Sequence, residues 1–143
     1  MSISTPIQEQ FPQMDYEWRT FSNVSWENLI KSFGYTVHIT HRFDSYSGDG
    51  LAIMGNGEQI GVLVFGYGSC SGCDTLEACN DYERLDELRH SLHNSIKWYN
   101  TDSLPEAVAA FLMHAYITNQ WYWHDDEIKK QLFNLAGRDT SWW

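Results

Sequence analysis

Two apolar stretches meet at an Asn-Gly pair in the middle of the chain. Residues 51–55 read LAIMG and residues 58–66 read EQIGVLVFG, with Asn56-Gly57 between them. Asn-Gly takes positive φ at low cost and matches the twist of two paired strands, so the pair predicts a two-residue hairpin. The second stretch is apolar in both phases of a strand's alternation, which places it centrally in a sheet. Upstream, residues 35–43 read YTVHITHRF and alternate: Tyr35, Val37, Ile39 and Phe43 share one phase, Thr36, His38, Thr40 and Arg42 the other. That is the pattern of a half-exposed strand. The turn-rich DSYSGDG joins it to the hairpin. The expected frame is a three-stranded antiparallel meander.

Helical signals flank this meander. In SWENLIKSFG, Ser25 serves as N-cap, Trp26, Leu29, Ile30 and Phe33 form a stripe, and Gly34 stops the turn. After the third strand, Leu76, Cys79, Tyr82, Leu85, Leu88, Leu92, Ile96 and Tyr99 recur every three or four residues. Asp74 and Glu77 stand as a capping box at the start of that run. A second helix opens at Ser103, with Pro105 in its first turn and Glu106 three residues after the cap. A third runs through DDEIKKQLFNLAG, acids first and Gly137 last. The order α-β-β-β-α-α-α defines an α+β domain over residues 21–143, its helices packed on one face of the sheet. Residues 1–20, polar with scattered aromatics, are expected to form a loosely held arm.

The charge balance narrows the function. Nineteen acids against nine bases give a net charge of −10 over 143 residues. A protein that tracks phosphates needs a basic face, so direct binding to a nucleic-acid backbone is not expected. An acidic surface suits a basic partner instead, and can occupy a groove built for nucleic acid. No apolar run approaches the length that spans a bilayer, and the first residues have neither a basic start nor an apolar core. A cytoplasmic location, without membrane association, is the expectation. Three cysteines cannot all pair within one chain, and in a reducing compartment thiols, a metal site or a catalytic pair are favoured over a structural disulfide.

The candidate site is the segment GYGSCSGCD at residues 66–74. Gly66, Gly68, Ser69, Ser71 and Gly72 lie between a strand and a helix start, where backbone N–H groups cradle anions. The Lys-Ser/Thr ending of a phosphate-binding P-loop is absent, so Arg42, Arg84 or Arg89 would have to reach a bound phosphate. Cys70, Cys73 and Cys79, with His90, would suit tetrahedral zinc in an interaction module, although Cys79 falls on the apolar stripe. Cys70-x-x-Cys73 after an apolar strand resembles the active-site segment of thioredoxin-like proteins, which implies thiol–disulfide exchange at a helix N-terminus. The antiparallel meander before it departs from that family's pattern. The plain structural reading is a tight helix entry with buried thiols.

Taken with YSGDGLAIM and GVLVFG, the same segment resembles small bacteriophage-encoded proteins of unknown function, over about residues 46–79. That resemblance implies a phage protein acting in the host cytoplasm, of the kind that disables host defences by occupying an effector or sequestering a nucleotide signal. No residue role follows from it. A concentration of aromatics, Trp121, Tyr122, Trp123, Trp142 and Trp143, supplies candidate contacts for a partner or for a second copy of the chain. His38 is expected to face solvent, and His90 and His93 to lie close together on one helix. The leading expectation is a binding protein without catalytic activity. Its partner would be a host protein with a basic surface, or a nucleotide.

Overall fold

A computed structural model describes residues 2–12, 14–15, 20–21, 24–42, 48–67, 76, 79–117 and 126–137. Along the chain run α1 (Ile7–Gln10), β1 (Met14–Asp15), β2 (Thr20–Phe21), α2 (Trp26–Lys31), β3 (Thr36–Arg42), β4 (Gly48–Gly55), β5 (Ile60–Tyr67), α3 (Tyr82–Asn94), β6 (Lys97–Tyr99), α4 (Leu104–Ile117) and α5 (Asp126–Leu135). β1 and β2 pair as a small hairpin, and the main sheet is antiparallel in the order β3-β4-β5-β6. The protein is therefore α+β, with four strands in its main sheet where three were expected.

The fourth strand hides within the helical stripe. Ile96 and Tyr99 keep the three-to-four spacing, but α3 ends at Asn94 and Ser95 closes it. Lys97, Trp98 and Tyr99 then pair with Val62, Gly61 and Ile60. The open edge of β5 supplies hydrogen bonds that outweigh one more helical turn. Gly61 makes room for this strand, since a Cβ there would lie 2.6 Å from Ile96 Cγ2.

Helices cover both faces of the sheet, not one. Ala52, Met54, Leu63 and Phe65 pack with Trp26, Leu29 and Ile30 of α2 and Leu85 and Leu92 of α3. On the other face Leu51, Ile53, Ile60 and Val62 pack with Ala107, Val108, Phe111 and Leu112 of α4, Leu132 and Phe133 of α5, and Ala136 just beyond it. Both phases of β4 and β5 are apolar, so leaving either face wet would expose a row of large side chains.

A β-bulge reassigns β3. Val37 pairs with Met54, and Ile39, two residues on, pairs with Ile53, so His38 is the inserted residue. Val37 consequently packs on the α2–α3 side and Ile39 on the α4–α5 side, although simple alternation puts them on one face. His38 is exposed, as expected.

Turns and caps follow local chemistry, with two adjustments. Gly55 pairs with Ile60, so the connection is a four-residue loop and not a two-residue one. The Asn56 side-chain oxygen accepts from the N–H groups of Glu58 (3.0 Å) and Gln59 (2.8 Å), and Gly57 sits at φ 99°. The Asx turn thus replaces the tighter hairpin. At α2, Ser25 Oγ accepts from Asn28 N–H (3.1 Å), and Gly34 takes φ 93°. α3 begins at Tyr82, later than the expected start at Asp74. Its N-cap is Asp81, whose carboxylate accepts from Arg84 N–H (2.8 Å). Replacing Asp81 with Ala removes that cap and should cost about 1 kcal/mol. Urea denaturation of the two proteins, at unchanged m-value, measures it.

The expected loose arm is in fact docked over residues 2–12. Ile7 and Phe11 are buried in the α2–α3 core, Ile3 N–H donates to Phe33 O (2.9 Å), and the Tyr82 hydroxyl donates to Phe11 O (2.7 Å).

Candidate functional site

Position 89 continues the buried phase of α3 set by Leu85 and Leu92, yet it is an arginine, and only 1% of it is exposed. Its five N–H donors are all used. Nε donates to Ser32 Oγ (2.9 Å) and one Nη2 hydrogen to Ser32 O (2.8 Å). The other Nη2 donor goes to Ser2 O (2.6 Å), and Nη1 serves Ile3 O (3.0 Å) and Thr5 O (3.1 Å). Every acceptor is a neutral oxygen. The guanidinium meets the C-terminal end of α2 at Ser32, where carbonyls carry partial negative charge. It also ties the segment before α1 to α3. Burial pulls its pKa down and the nearby Asp86 carboxylate raises it; a guanidinium remains cationic throughout the working pH range.

Beside Arg89 lies a cavity of about 300 Å³, lined by residues 3–8 and by Asp86, Arg89 and His90. At its rim the Asp86 carboxylate faces His90 Nε2 at 3.4 Å, both side chains about half exposed. Such a surface pair contributes little to stability, but it turns the local carboxylate toward His90.

A second polar feature sits on the same face of the sheet. The Tyr35 hydroxyl lies 2.7 Å from His93 Nε2, the His93 ring stacks on Tyr35 and meets Phe33 edge-on, and Tyr35 meets Trp98 edge-on. Burial lowers the His93 pKa, with His90 and Arg89 adding in the same direction and a hydrogen bond to Asn94 opposing. The unfolded chain therefore binds this proton near pH 6.5, and the folded protein only at lower pH. Stability from this histidine is fully present above about pH 6.5 and is lost as pH falls toward the folded value. Thermal melts at about pH 7.5 and pH 5.5 should show a smaller acid loss in His93→Gln than in the wild type. Equal losses in both proteins would contradict the assignment.

Of the expected site residues, Gly66 lies at the end of β5, opposite Asp49, with open space where a Cβ would be. Gly68, Ser69, Cys70, Ser71, Gly72 and Cys73 lie outside the described residues, as do Asp74 and Glu77. Cys79 is buried in the α2–α3 core, whereas His90 is on the solvent side of α3. Among the described residues, no group of three or more His, Cys, Asp or Glu is placed to hold a metal ion. Arg89 is withdrawn from any phosphate at the glycine loop by its five bonds, and Arg84 is exposed on the first turn of α3. Trp121, Tyr122, Trp123, Trp142 and Trp143 also lie outside the described residues.

The clamp formed by Arg89 and Ser32 was not expected. Its only sequence signal is phase: a cation at the spacing of Leu85, Leu92 and Ile96. No family model, curated protein or solved structure matches the chain. Among the described residues no helix is long and apolar enough to cross a membrane.

Proposed function

We propose that this chain is a small acidic binding protein that occupies the basic surface of a nucleic-acid-handling partner. The observation that carries the reading is the charge division on α3. Of its two arginines, Arg89 is buried and consumed internally, and the exposed Arg84 is outnumbered by Glu83 and Glu87, one turn apart, and the neighbouring Asp86. Glu58 on the β4–β5 loop and Asp102 and Glu106 at the start of α4 are exposed as well. A surface weighted in this way steers toward cationic partners and competes with phosphate for them. The resemblance of residues 46–79 to phage proteins makes a host defence factor the natural target, with the chain acting as its inhibitor.

Capture from host lysate on the immobilised protein tests this. A basic nucleic-acid-binding protein should be retained at low salt and released as ionic strength rises several-fold. The double variant Glu83→Lys/Glu87→Lys should weaken retention by about tenfold or more. Retention indifferent to both salt and charge reversal would overturn the reading.

A further inference from the structure

We propose that Arg89 is a strap-gated receptor for a small oxyanion, in which phosphate or a carboxylate exchanges with the carbonyl oxygens of Ser2, Ile3 and Thr5. The guanidinium is divided into two sides. Nε and one Nη2 donor hold Ser32 on α2. The remaining three donors, on Nη1 and Nη2, form the end-on fork and are spent on the strap, residues 2–5. That fork is the geometry that binds carboxylate and phosphate bidentately. Lifting the strap therefore exposes a receptor already aimed, because Ser32 keeps the plane in place.

Three further observations support exchange. All five present acceptors are neutral, and the carboxylate lining the cavity, Asp86, is turned to His90. The present bonds have only their donor ionised, and an oxyanion in place of the carbonyls would add a charged acceptor in bidentate geometry. The cavity beside the strap, about 300 Å³, has room for an oxyanion together with several waters, at roughly 30 Å³ per water. Finally, the strap is less deeply seated than its anchors: apart from Arg89 it is held by Ile3 N–H to Phe33 O and by the Gln10 side chain to Ser2 O and Thr5 O. Ser2, Ile3 and Thr5 are half-buried and Ser4 is exposed, whereas the anchors Ile7 and Phe11 are buried. Residues 2–5 can part from Arg89 while the anchors stay seated. The inference does not depend on the acidic-surface reading, since its ligand is an anion held by the buried Arg89 and not a basic partner surface.

Amide hydrogen exchange on the full chain tests it, in about 50 mM phosphate against sodium chloride of equal ionic strength. Phosphate should speed exchange at Ile3 and Thr5 about fivefold, with Ile53 and Leu63 in the sheet unchanged. Arg89→Lys keeps the charge but lacks the fork, and should lose the response. If that variant fails to fold, the Arg89 Nε–H resonance of the wild type decides, because it must shift saturably with phosphate. Unchanged exchange at Ile3 and Thr5 in the wild type, a Nε–H resonance that does not shift, or an equal response in Arg89→Lys overturns the proposal.

Discussion

Arg89→Met destabilises the fold by about 3–5 kcal/mol, the largest loss expected from any single charged residue described here. Replacing a buried ion pair by apolar residues is often harmless, because both partners leave together. Here four of the five partners are main-chain oxygens, of Ser2, Ile3, Thr5 and Ser32, and cannot be replaced. The strap carbonyls can turn to water by lifting. Ser32, itself buried, cannot; its Oγ still donates to Leu29 O, so its main-chain oxygen bears most of the desolvation cost, about 1–3 kcal/mol. Met fills much of the volume of the arginine stem, which separates the lost hydrogen bonds from a cavity effect. Urea denaturation should show a lower midpoint, and exchange at Ile3 and Thr5 should approach the unprotected rate. An unfolding free energy within about 0.5 kcal/mol of wild type would mean that the clamp is ornamental to stability.

Gly50→Ala should cost about 2–3 kcal/mol, against the sign expected for most glycines in strands. Adding a methyl group in a strand ordinarily restricts the unfolded chain and helps by a few tenths to 1 kcal/mol. At Gly50 the new Cβ would lie 2.3 Å from the Phe65 ring, its register partner across β4 and β5. That ring has little freedom to yield, because it stacks on Trp26 with centroids 5.0 Å apart and planes at 24°. The test is a double-mutant cycle with Phe65→Leu. A smaller side chain at 65 should absorb part of the damage, so the pair costs less than the sum of the single changes. Additive losses would place the strain elsewhere.

The hairpin and α2 were legible because their signals are local. Asn56-Gly57 and the run from Ser25 to Gly34 each carry their own turn chemistry within a few residues. Three features were not legible, each for a physical reason. Ile96 and Tyr99 fit helical spacing by coincidence, and only the open edge of β5 made their segment a strand. One inserted residue, His38, reverses the facing of β3 without altering its composition. Arg89 sits at an apolar phase of α3, but what buries it lies 57 and more residues earlier in the chain. The glycine–cysteine segment leaves the sheet at Gly66 and returns to the α2–α3 core at Leu76 and Cys79.

The main sheet is a party wall between two interiors, and adjacent residues on it belong to different rooms. Leu51 and Ala52 are neighbours in sequence, yet one looks toward α4 and α5 and the other toward α2 and α3. Any disturbance of β4 or β5 is thus felt on both sides at once, whereas damage confined to a helix reaches only one. The two halves melt together to the extent that the wall transmits strain. Paired probes at positions 51 and 52 read that cooperativity across the width of a single strand.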